Sequence, residues 1–136
     1  ALKRIFSMKK GFCLATLFAS VLMFNQGVSA HQLETDMRVL AKSMTAFAQT
    51  QDLAEAKKQL MLMRKAAVAS KASSPHKLEG VSKDDEQLKA YQHGLDLLLA
   101  QIDSVNALVE KGQLEQAKVK AVELVKLRNE YHQQFK

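Results

Sequence analysis

Two side chains decide what chemistry this sequence offers: one imidazole and one thioether, near opposite ends of the chain. Residues 31–136 hold four histidines and no cysteine. His31 opens that segment and His76 sits in a polar loop. His93 is two residues from both Tyr91 and Leu95, so it points roughly 200° away from that apolar stripe. His132 follows Arg128 by four residues, Val125 by seven and Ala121 by eleven, which places it on the inward face of the last helix. Met37 lies on the apolar stripe of the first helix. In an antiparallel four-helix bundle the start of the first helix and the end of the fourth meet at one pole. Each residue alone has an ordinary explanation, a buried structural histidine or a packing methionine. Together they are the nitrogen and sulfur donors of a low-spin haem iron, and the thioether favours the ferrous state.

Three other residues attach to that expectation. Met63, on the returning second helix, comes to nearly the height of Met37; it lines the pocket, competes as a ligand, or simply packs. Met61 and Met63 form a Met-x-Met that suggests copper(I). On a helix, however, residues two apart diverge by roughly 200° and cannot grip one ion. Gly94 stands beside the core stripe of the third helix, where glycine costs ~1 kcal/mol relative to alanine; it either makes room for a bulky ligand or is merely tolerated. Arg128, one turn before His132, is placed to pair with a haem propionate or to interact with the last carbonyls of its helix. No Cys-x-x-Cys-His occurs, because Arg128 and Tyr131 occupy the positions where the cysteines would stand. The haem would therefore be non-covalent, of the b type. No nucleophile–base pair, carboxylate pair or phosphate loop is present, so an electron carrier is expected rather than an enzyme.

Four amphipathic helices must position these groups. The first repeats apolar residues at Leu33, Met37, Leu40, Met44 and Phe47, in steps of four and three. Thr50-Gln51-Asp52 interrupts it, and Asp52 with Glu55 resembles a capping box for a second stripe of Leu53, Ala56, Leu60, Met63 and Ala67. Ser70 to Asp84, with Pro75 and Gly80, is the one long loop. Helix three starts near Asp84, with Ser82 and Asp85 as candidate caps. It carries Leu88, Tyr91, Leu95, Leu98, Ile102, Val105 and Val109 until Gly112 stops it. Helix four turns Leu114, Ala117, Ala121, Leu124 and Val125 inward, then Arg128, His132 and Phe135. One proline and five glycines leave few turns for a β sandwich. The expected fold is all-α, an antiparallel up-down-up-down four-helix bundle over residues 31–136.

Residues 1–30 read as a cleaved signal peptide. Lys3, Arg4, Lys9 and Lys10 precede an apolar run from Phe12 to Phe24, and Val28-Ser29-Ala30 supplies the small residues of a cleavage site. The run is shorter than the ~20 residues of a spanning helix. Met8 is a candidate natural start, with residues 1–7 upstream. Cys13 opens the run rather than closing it, which argues against a lipoprotein, and no arginine pair precedes it. Export as an unfolded chain to a bacterial periplasm follows, with the cofactor loaded afterwards and no membrane attachment once the leader is removed. The whole chain carries a formal charge of +6, but without the leader 16 basic and 14 acidic residues leave only +2. No basic patch with interleaved aromatics remains, so nucleic acid is not an expected partner.

From Leu33 to Phe135 the chain resembles the cytochrome b562 family of soluble periplasmic haem proteins. LETDM at 33–37, MRKAA at 63–67, HGLDLLLAQID at 93–103 and RNEYHQQF at 128–135 carry the resemblance. It implies one b-type haem per chain in a four-helix bundle. The axial methionine of the family falls on Met37 and the axial histidine on His132, and the implied role is electron transfer with a redox partner protein, by a monomer. A haem-buffering protein would use the same pocket without electron exchange.

Overall fold

The computed structural model describes residues 26–135. Four helices follow one another: α1 Gln26–Gln49, α2 Leu53–Lys71, α3 Glu86–Glu110 and α4 Leu114–Gln134. A single 3-10 turn, His76–Leu78, lies in the α2–α3 loop, and no strand occurs among the described residues. Most of the leader expected at residues 1–30 lies outside the described residues, and Gln26–Ala30 belong to α1. No described helix is long and apolar enough to cross a membrane.

The chain punctuates its helices where its residues dictate. Asp52 caps α2 by accepting from the Ala54 backbone N–H, but Glu55 bonds Gln59 instead of reaching back, so the capping box is only half made. Asp85 caps α3 by accepting from the N–H groups of both Gln87 and Leu88. Ser82 serves the turn before it, through Asp84. Gly112 adopts φ 75°, the left-handed conformation that lets the chain leave α3 and start α4 two residues later.

Apolar stripes then close the bundle. Leu40, Met44 and Phe47 of α1, Leu60, Met63 and Ala67 of α2, Tyr91 to Val109 of α3, and Ala117 and Leu124 of α4 form one continuous core. Leu53, expected inward, is exposed at the first residue of α2, outside the packed length. Consecutive helices pack side by side, α1 on α2, α2 on α3 and α3 on α4, whereas α4 and α1 make far less contact. Three ion pairs, Lys57–Glu110, Arg64–Asp103 and Lys71–Asp96, lace α2 to α3 along their outer edges. Each is solvent-exposed and contributes at most ~1 kcal/mol, so they fix register more than stability. The loosest seam of the bundle is thus the one between its first and last helices.

Candidate functional site

A cleft of about 160 Å³ lies in that seam, where the middle of α1 passes the end of α4. Leu33, Met37 and Leu40 line it from α1, Tyr91, Gly94, Leu95 and Leu98 from α3, and Leu127, Arg128, Tyr131, His132 and Phe135 from α4 and its C-cap. Pro75 closes it from the α2–α3 loop. Met37 and His132 therefore share one cavity, Met37 from the middle of α1 and His132 from the last turn of α4.

Their surroundings differ. Met37 is half-buried and packs against the core, while His132 is exposed at the rim. The sequence placed His132 fully inward, in line with Val125. In the folded chain Val125 is exposed, and the inward line of α4 runs through Ala117, Leu124 and Leu127 to Tyr131 and Phe135. His132 stands one residue, about 100°, round from Tyr131. It reaches the cleft from the edge.

Met63 is corrected. It is wholly buried, but it lines a second, smaller cavity with Met44, Phe47 and Leu124. Side chains on a helix lean toward its N-terminus. Met37, on α1, leans toward the cleft; Met63, on an antiparallel helix, leans toward the α1–α2 link. Similar backbone heights thus give diverging side chains. Met61 is exposed, so the two methionines point apart as their spacing requires. His31, His76 and His93 are all exposed and none lines the cleft.

Gly94 is buried in the cleft wall, and a Cβ built on it would overlap the ring of Tyr131. The glycine makes room for that ring. Tyr131 stacks on Phe135 with centroids 6.2 Å apart, and Phe135 meets Tyr91 edge-on at 5.6 Å. The Tyr91 hydroxyl donates to the Ser70 carbonyl at 2.6 Å. Burial, and secondarily the charge of Asp36, hold that phenol well above the usual tyrosine range. Sequence reading missed Tyr131 and Pro75 as lining residues. The signal for Tyr131 was its spacing of seven from Leu124, two turns along the same face.

This packing carries a prediction. Gly94→Ala gains ~1 kcal/mol of helix propensity but forces a methyl against an aromatic ring, which costs ~1–3 kcal/mol. The haem-free variant is expected to unfold at a lower temperature than the parent. In a Tyr131→Ala background the same change should stabilise, so a double-mutant cycle by thermal melting checks the contact.

The donor set suits an iron porphyrin. One soft thioether and one imidazole line an otherwise apolar cleft, and no cluster of three or more His, Cys, Asp or Glu that would favour another metal occurs among the described residues. Arg128 lines the same cleft and donates to Asn129 Oδ1 at 2.9 and 3.2 Å. The cleft is smaller than the ~300–1,000 Å³ usual for a cofactor site. Admitting a macrocycle requires the rings of Tyr131 and Phe135 to turn outward. Both lie in the last turn of α4 and its cap, Tyr131 against Gly94 and Phe135 against Tyr91.

Residues 32–136 match the family model described as cytochrome b562. A probable soluble cytochrome b562 of Yersinia pestis is 31% identical over 129 residues, covering 95% of this chain and 100% of that protein. A second one from the same organism is 31% identical over 123 residues, covering 90% and 96%.

Proposed function

The chain belongs to the cytochrome b562 family, and on that premise we propose that it is a periplasmic one-electron carrier whose Met37 and His132 are the axial ligands of a single haem b. The family binds haem b without a covalent link and is itself an example of the up-and-down bundle. The observation that carries the ligand assignment is that a thioether and an imidazole, 95 residues apart in sequence, line one apolar cleft.

When bound, the haem supplies a ferric/ferrous couple. The protein's part is to hold it and set its balance. His132 offers a ring nitrogen from the rim, and Met37 offers a soft sulfur from the packed side, which favours ferrous iron. Were Met37 and His132 both to hold the iron, the chain itself would occupy the places a small molecule needs, and electron exchange would be the chemistry the haem supplies. Leu33, Leu40, Leu95 and Leu98 give the cleft apolar walls, and a low-dielectric surround strengthens charge effects inside it. Arg128, at the same pole, is placed to pair with a propionate once it leaves Asn129.

A second reading, haem storage and delivery, is favoured by the exposure of His132 and the loose α1–α4 seam. Slow haem loss to a competing haem scavenger supports the carrier, whereas rapid loss supports delivery.

The export reading is tested on the same material. Protein recovered from the periplasm should begin at His31 and hold one haem per chain. Membrane-bound material starting within residues 1–13, or protein that takes up no haem, would contradict the proposal.

A further inference from the structure

Beside the cleft lies a charge that the ligand assignment does not use. Asp36 precedes Met37 on α1 and is only 8% exposed. Its Oδ1 accepts from Gln32 Nε2 at 3.2 Å, and its buried Oδ2 has no hydrogen-bond partner among the described residues. No basic side chain pairs with it among the described residues. Behind burial, its charge is the second cause that raises the phenol of Tyr91, a wall of the cleft. Asp36 does not itself line the cleft, but it directly precedes the cleft residue Met37 on the same helix.

A buried carboxylate lacking a partner costs stability, since its lost hydration is not replaced. Among the described residues only Glu79 likewise buries a side-chain oxygen without a hydrogen-bond partner, and that oxygen lies 3.3 Å from His76 Nδ1. Glu34, two residues away on the same helix, shows the ordinary alternative: it is exposed and paired with Arg38. A charge at Asp36 acts through protein rather than water, so it is weakly screened.

We propose that Asp36 sets the reduction potential of this protein, its buried negative charge holding the site toward ferric iron against the pull of the Met37 thioether. The inference rests on the haem assignment above. A haem iron with two neutral protein ligands carries one more positive charge when ferric than when ferrous. A nearby anion stabilises the more positive form. Asp36 therefore opposes Met37, and the potential is the balance of the two.

The test is spectroelectrochemical titration of haem-loaded protein at one fixed pH. Asp36→Asn and Asp36→Ala both remove the charge, with and without its shape. Each should shift the ferric/ferrous balance about tenfold toward ferrous, a rise of about 59 mV. Asp36→Glu keeps the charge and should stay within about threefold of the parent, as should Glu34→Gln, whose charge is already solvated. Haem-free Asp36→Asn should melt no lower than the haem-free parent, because it loses an unpartnered buried charge. Potentials of both neutral variants at or below the parent value would overturn the proposal, as would an equal rise in Glu34→Gln. Failure of the haem assignment itself looks different: the parent would then show no low-spin spectrum after haem is added.

Discussion

His132→Ala is expected to abolish the low-spin spectrum and to weaken haem binding by more than the ~10–100-fold typical of losing an outer partner of a metal ligand. The change deletes the only imidazole that lines the cleft among the described residues. It should do so without a folding penalty. His132 is exposed in the last turn of α4, and alanine is the better helix former there, so haem-free stability should stay within ~0.5 kcal/mol of the parent. His93→Ala and His76→Ala remove equally exposed imidazoles that do not line the cleft, and both should retain full haem affinity. Haem titration of the three variants, followed by absorbance, decides the matter. Loss of the low-spin spectrum in His93→Ala would mean that the ligand sits on α3.

Met37→Ala should leave a five-coordinate haem held by His132. The ferrous protein is expected to become high-spin and to bind carbon monoxide readily, and its potential should fall because the soft sulfur that favours ferrous iron is gone. Met37 is only half-buried, so the haem-free fold should lose stability near the lower end of the ~2–5 kcal/mol seen for core Met→Ala changes. Met63→Ala is the informative contrast. Met63 is 0% exposed, so its removal should cost more stability than Met37→Ala. Yet it lines a different cavity, so the six-coordinate spectrum and potential should survive. The two variants are thus ordered oppositely by folding and by spectroscopy. A six-coordinate spectrum kept in Met37→Ala and lost in Met63→Ala would reassign the sulfur ligand.

The apolar stripes of the first and third helices are legible almost residue for residue, although α1 begins at Gln26, seven residues before its stripe. Their apolar residues recur every three or four positions with polar residues between, and Asp85 and Gly112 mark ends whose chemistry is local. Helix four was harder to read. Val119, Val122 and Val125 are exposed, so apolar residues surround this helix and periodicity alone does not choose a face. That ambiguity turned His132 fully inward on paper, when the inward places near the pole belong to Tyr131 and Phe135. Met37 and His132 nonetheless line one cleft, because the bundle topology brings the end of α4 against α1. The separation of Met63 from the cleft is not legible in the sequence. It depends on the direction in which a side chain leans, which reverses between antiparallel helices and does not appear in a comparison of heights. Asp36 was invisible for another reason. A lone acid beside an apolar stripe reads as a solvated edge until the neighbours of α1 are in place.

The central claim is that Met37 and His132 bind one iron together. It is tested most directly by spectra of the haem-loaded parent in both oxidation states, taken with the near-infrared magnetic circular dichroism of the ferric form, which distinguishes sulfur from nitrogen as the second axial donor. Joint ligation predicts a low-spin six-coordinate iron in both states, a thioether–imidazole signature when ferric, and a ferrous form that resists carbon monoxide. A high-spin ferrous spectrum with ready carbon monoxide binding, or a ferric signature of two nitrogen donors, would contradict it.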